Sequence, residues 1–159
     1  LICEHNEEGA MGFVLNRPTA LPIQELFDHM DIAVTVPLDP KQVLHNGGPV
    51  QPERGFVIHS PIGEWESTLE LTPEIGVTAS RDILFAIANG YGPEKQLITL
   101  GYAGWGEGQL EQEFSKNNWL NVAATAELVF DTEDSILWKK SADQIGIDIT
   151  TLTAPAGHA

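Results

Sequence analysis

The sequence predicts an α+β protein built on a strongly bent, partly barrel-like sheet, mixed or antiparallel, flanked by helices. Three observations carry that prediction. Strand-like and helix-like segments are interspersed along the 159 residues, yet successive strands are joined by turns too short for parallel crossovers. Glycines interrupt the strand patterns at Gly12, Gly76 and Gly101, where a sheet bulges or bends. The stretch 97–114 runs from a buried apolar strand, Leu97-Ile98-Thr99-Leu100, through Gly101, Gly104, Gly106 and Gly108 into an acidic helix start. A sheet that curls towards closure needs bends of this kind.

Each element has its own signal. Residues 1–3 read as the end of a strand and 6–9 as a turn. Residues 11–16 are β-rich and stop at Arg17-Pro18, because proline cannot donate to a ladder. Pro22 suits the first turn of a helix. Ile23, Leu26, Phe27 and Met30 follow at helical spacing, so 21–30 is a short amphipathic helix. Pro37 and Pro40 make 31–41 a loop. Residues 43–45 form a short strand before the turn Asn46-Gly47-Gly48-Pro49, and 55–59 form another. Residues 67–71 and 75–79 read as a hairpin around Thr72-Pro73-Glu74. Ser80 is placed as an N-cap with Asp82 near the positive helix end. Ile83, Leu84, Ile87 and Ala88 then form one face, and Gly90 is the stop. Residues 96–102 are the buried strand and 109–117 a helix. Residues 121–125 and 128–130 read as short β or extended pieces. Thr132 caps a last helix presenting Leu137, Trp138, Ala142 and Ile145, closed by Gly146. The tail holding Pro155 and Gly157 reads as loose. Residues 1–159 together read as one domain.

Composition narrows the class of function. An apolar share of 42% and a charged share of 19% are those of a soluble globular chain. No apolar run approaches the roughly 18 residues that span a bilayer. Eight Lys and Arg against 23 Asp and Glu give a net charge of −15. Nucleic-acid binding draws on clustered cations that neutralise phosphates, and only Lys139 and Lys140 are adjacent among Arg17, Lys41, Arg54, Arg81, Lys95, Lys116, Lys139 and Lys140. Direct DNA or RNA binding and attachment to an anionic membrane are therefore not expected. Cys3 is the only cysteine, so no intrachain disulfide forms and a reducing, cytoplasmic setting fits.

Four stretches carry a resemblance. They are Cys3-Glu4-His5-Asn6 with Gly9-Ala10-Met11-Gly12-Phe13-Val14-Leu15-Asn16-Arg17-Pro18; Asn46-Gly47-Gly48-Pro49-Val50 with Arg54-Gly55-Phe56; Thr78-Ala79-Ser80-Arg81-Asp82; and Leu100-Gly101-Tyr102-Ala103-Gly104-Trp105 with Gly108-Gln109-Leu110-Glu111-Gln112-Glu113. The ending Ala156-Gly157-His158-Ala159 fits as well. In this order, over the whole chain, they resemble the AlgH/YqgE family, a bacterial group without an established activity. The resemblance implies an α+β fold with a bent, barrel-like sheet, a bacterial cytosolic setting and a suggested role in transcriptional regulation. It brings no catalytic residues and no cofactor. Members carry roughly two dozen further residues at the front, with an apolar strand, so an edge of this sheet is expected to lack its partner.

Candidate chemistry is sparse. Cys3 and His5 sit two apart on a strand and would share a face; an imidazole there could activate the thiol for redox sensing or catalysis. A lone cysteine in an apolar strand is more often a small buried hydrophobe. Cys3, His5, His45 and His59 are possible metal ligands by type, but their spacing matches no compact ligand motif, and no metal is expected. The glycine bend completes neither G-x-G-x-x-G nor a P-loop, and its flanking glutamates would meet a phosphate with like charge. Asn46, Gly47 and Gly48 could offer amides to a small anion, with Arg17 and Arg54 as cations; the ordinary reading is a turn, with Arg17 gripping a carboxylate elsewhere. No nucleophile, base and oxyanion hole assemble. Trp105, Trp119 and Trp138 read as core or core-edge anchors, and any exposed one would mark a partner site.

These observations favour a binding or regulatory module that acts through a protein partner, so that any effect on transcription is indirect. The competing readings are a binder of a small anionic or nucleotide-like ligand, and a thiol-based enzyme or redox sensor centred on Cys3 and His5.

Overall fold

The computed structural model describes residues 1–152; the tail with Pro155 and Gly157 and the ending Ala156-Gly157-His158-Ala159 lie outside them. In chain order the elements are β1 (Ile2–Asn6), β2 (Gly9–Gly12), β3 (Pro18–Pro22), α1 (Ile23–His29), β4 (Val43–Asn46), β5 (Val50–Ser60), β6 (Thr68–Glu70), β7 (Gly76–Thr78), α2 (Arg81–Ala88), β8 (Lys95–Gly106), α3 (Gln109–Ser115), α4 (Ala126–Phe130), α5 (Asp134–Gln144) and α6 (Ile149–Leu152). The class is α+β: a sheet nearly closed into a barrel, with helices outside it.

The sheet runs β1-β2-β8-β5-β7-β6, with β3 on β4 and β4 on β8. Every pairing is antiparallel except β4 with β8. The 12-residue β8 organises it. One edge of β8 takes β5, from Ser60 opposite Lys95 to Val50 opposite Tyr102. Its other edge takes β4 at Thr99 and Leu100, then β2 from Ala103 to Gly106. The handover falls at Gly101, whose φ of 70° turns the strand where residues with side chains rarely go. The strand expected over 96–102 therefore continues through the glycine stretch instead of ending there.

Both faces of the sheet are covered. Val57 and Ile98 pack with Ile23, Phe27, Ile83, Leu84 and Ile87 of α1 and α2. Phe56 and Ile58 point the other way, to Phe13, Ile75, Val77 and Val129. Two-sided burial explains why β5 reads as the continuous run Phe56-Val57-Ile58 rather than as an alternation.

Several expectations are corrected. Proline does not end the strand run at 17–18: Pro18 and Pro22 delimit β3, which pairs only with β4 and so tolerates missing donors. The Thr19 hydroxyl adds a bond to the Leu44 carbonyl at 2.7 Å, and Pro22 is the N-cap of α1 rather than part of its first turn. Residues 128–130 belong to helix α4, whose first turn is fastened by the Leu128 amide donating to Thr125 Oγ1 at 3.1 Å. Residues 121–125 join no ladder. Thr132 does not cap the last long helix; its hydroxyl donates to the Glu127 carbonyl, and Glu133 is the N-cap of α5. Ser80 occupies the N-cap of α2, but its hydroxyl donates to Asp82 Oδ1 at 2.5 Å and accepts the Ser67 amide at 3.2 Å. It ties the helix start to the loop before β6 instead of capping it.

Candidate functional site

The thiol comes first. The β1–β2 register steps at Cys3, with Ile2 opposite Gly12 but Glu4 opposite Met11 and His5 opposite Ala10. This extra residue breaks the alternation that would have put Cys3 and His5 on one face. Cys3 packs with Met11 against the Phe56 and Val77 side of the sheet. His5 turns to the other side, where Nε2 meets Glu111 Oε1 on α3 at 2.6 Å. Glu111 is held below its ordinary carboxylate value by its own backbone amide and then by His5. The Cys3 thiol donates to the Leu1 carbonyl at 3.5 Å, and burial pushes its pKa up to about 12. A thiol so disfavoured as thiolate is a weak nucleophile.

The Asn46–Gly48 turn is spent on the fold. The Asn46 amide donates to the Arg17 carbonyl at 2.8 Å and the Gly47 amide to Leu100 at 2.8 Å. The Gly48 amide donates to Asn46 Oδ1 at 3.1 Å. An anion at this turn would find no free amide among these three and would depend on Arg17 and Arg54. Arg17 is exposed and in no ion pair among the described residues, so it does not grip a carboxylate there. Arg54 donates to Gln51 Oε1 at 3.3 Å and lies 5.0 Å from the Phe56 ring centroid. Neither arginine lines either of the two cavities described here.

The histidines are dispersed. His45 Nε2 lies 2.9 Å from Asp134 Oδ2, joining β4 to α5. His59 is fully buried, its Nδ1 donating to the Pro61 carbonyl at 3.0 Å and its Nε2 accepting from the Thr78 hydroxyl at 2.7 Å. Among the described residues no three His, Cys, Asp or Glu side chains gather as a metal site.

Three of the four tryptophans do converge. A groove of about 470 Å³ opens between β1, residues 13–16 and the end of β8 on one side and helices α3, α4 and α5 on the other, and Trp105, Trp119 and Trp138 all line it. Trp119 is 45% exposed and Trp138 54%, so they are walls of an open site rather than core anchors. Trp105 and Trp119 meet edge to face at 6.1 Å. Glu113 Oε2 accepts both indole N–H groups, at 3.3 Å from Trp105 and 2.7 Å from Trp119. A smaller space of about 320 Å³ lies between β1 and β6, the strands at the two ends of the sheet order, lined by Cys3, Met11, Phe56, Leu69 and Val77.

Each tryptophan stands out singly in the sequence, but their convergence does not. They come from β8, from the irregular segment after α3 and from α5. The one local hint is Trp119-Leu120, a large apolar pair beyond the end of any helical pattern.

A family model described as AlgH-like matches residues 1–150. A UPF0301 protein of Nitrosococcus oceani is 46% identical over 158 residues, 99% of this chain and 84% of that protein. One of Hahella chejuensis is 44% identical over 161 residues, with the same two shares. The solution structure of the AlgH protein from Pseudomonas aeruginosa matches with a TM-score of 0.79 at 46% identity, covering 99% of this chain and 84% of that one. The crystal structure of protein DIP2367 from Corynebacterium diphtheriae has a TM-score of 0.74 at 18% identity over 97% of this chain and 80% of that one, a likeness of fold alone.

Proposed function

This chain belongs to the AlgH-like family, and from that premise we propose that it is a binding module without catalytic action, working through a protein partner docked in the tryptophan-lined groove. Any influence on transcription then passes through the partner. One observation carries the reading: two tryptophans stand about half exposed in a single apolar groove. Scattered exposed apolar side chains need no explanation, but a contiguous patch rimmed by polar groups marks an interaction surface. The high pKa of Cys3 and the spent amides of the Asn46–Gly48 turn support it by weakening its rivals.

The test is photo-crosslinking in a lysate of the source organism, from a benzophenone side chain at position 138 and, as a control on a different surface, at Tyr91, which is 79% exposed. A discrete protein adduct from position 138 with none from 91 is expected. No adduct, or the same adducts from both positions, would overturn the proposal.

A further inference from the structure

The floor and the rim of the groove differ in chemistry. Phe13, Leu110, Leu128, Val129 and Leu137 close the floor, each at most 9% exposed. The volume of about 470 Å³ falls in the range of sites that enclose a ligand, enough for large aliphatic side chains. The rim is aromatic, and both indole donors of Trp105 and Trp119 are already given to Glu113. With the N–H groups engaged and the rings meeting edge to face, what the pair still offers a partner is the ring surface outside that contact, and an indole face attracts cations. Donation to a carboxylate makes the ring more electron-rich and strengthens that preference.

The carboxylate itself lacks a counter-charge. Ion pairs among the described residues use Glu111, Asp134, Asp131, Asp143 and Glu127, and none uses Glu113. Lys139 and Lys140, beside Trp138 in the chain, are engaged by Asp143 at 2.7 Å and Glu127 at 3.2 Å. Among the described residues no cation is therefore paired with Glu113 beside the two edge-to-face indoles. The net charge of −15 repels acidic segments and draws basic ones.

We infer that the partner element seated in this groove is a short basic amphipathic segment, whose large aliphatic side chains fill the floor while a lysine or arginine lies against the faces of Trp105 and Trp119 beside Glu113. The inference rests on the docking reading above and names the partner's chemistry. A helix presenting apolar anchors on one face and cations on its flank would satisfy it.

Three short capped fluorescent peptides of one pattern test it: leucine with lysine, leucine with glutamate, and serine with lysine at the same positions. Binding is read at physiological salt by anisotropy and by tryptophan emission. Only the leucine–lysine peptide should bind saturably and shift the emission. Trp119→Ala and Glu113→Gln should each weaken it about tenfold, while Tyr91→Ala leaves it unchanged. Glu113→Gln keeps the side-chain shape, so it remains informative if Trp119→Ala unfolds. Equal binding of the serine–lysine peptide would mean bulk charge attraction, and equal binding of the leucine–glutamate peptide would mean unselective apolar contact. Either result overturns the inference, as does self-association that hides Trp119 from the peptide. If crosslinking from position 138 yields a discrete partner but the leucine–lysine peptide does not bind, the docking reading stands and this chemistry falls; if both fail, both fall.

Discussion

His59 has no exposed surface and stays neutral because each ring nitrogen has a neutral partner. The Pro61 carbonyl can only accept, so Nδ1 carries the proton and Nε2 takes the Thr78 hydroxyl; the Thr68 hydroxyl lies 2.7 Å beyond. Burial lowers the His59 pKa below its ordinary 6.5, and only the Pro61 contact opposes the shift. The unfolded chain then binds a proton more readily than the native state, so stability contributed by His59 is present above about pH 6.5 and is lost as pH falls below it. Other groups that titrate between pH 7.5 and 5.5 change stability as well, so the effect is read as a difference. Urea midpoints at pH 7.5 and 5.5 should fall more steeply in the native protein than in His59→Gln. Identical slopes would mean that His59 takes its proton without cost. The sequence shows His5, His45 and His59 as three possible ligands. It hides the partners that occupy them (Glu111, Asp134 and Thr78), because those arrive from distant segments through the fold.

Among the elements, β8 was legible as a buried strand because its apolar residues are consecutive, and α1 and α2 because their apolar residues keep helical spacing. β3 and α4 were not legible. A proline at each end masks a strand that needs few donors, and a five-residue helix is too short to show a period. The bulge at Cys3 was equally invisible, since one extra residue leaves no mark in the sequence yet sends His5 to the opposite face. The glycine turns were legible as bends, but their closeness to β8 was not. Gly48, at φ 154°, passes so near β8 that an added Cβ would overlap the Tyr102 carbonyl. Backbone cannot yield there as a flexible side chain would. Gly48→Ala should cost about 3 kcal/mol or more, by combined strain and clash. Gly55 has open space around its Cβ position, and Gly55→Ala should change stability by less than about 1 kcal/mol. Urea denaturation of the two variants checks the contrast; equal costs would mean that the 46–49 turn can back away from β8.

For the whole molecule, the α+β class and the bent sheet followed from short connections and strand glycines, while the groove followed from nothing local. It exists because the irregular segment after α3 and the helix α5 bring Trp119 and Trp138 over the end of the sheet. Charge is the property that needs no fold to read, and the fold sharpens it. Of eight basic side chains, Lys95, Lys139 and Lys140 are held by Asp131, Asp143 and Glu127. Arg81 donates to the Met30 carbonyl and lies 5.4 Å from the Phe85 centroid, and Arg54 covers Phe56. The chain carries 23 acidic side chains against eight basic ones, and affinity for DNA comes largely from cations displacing counterions. Anisotropy titration with duplex DNA at about 0.15 M salt should therefore show no saturable binding, and lowering the salt should not rescue it, because a longer screening length exposes more of the same negative field. Tight binding that weakened steeply as salt was added would mean that these eight residues do assemble a basic surface, and with it a direct rather than partner-mediated route to the genome.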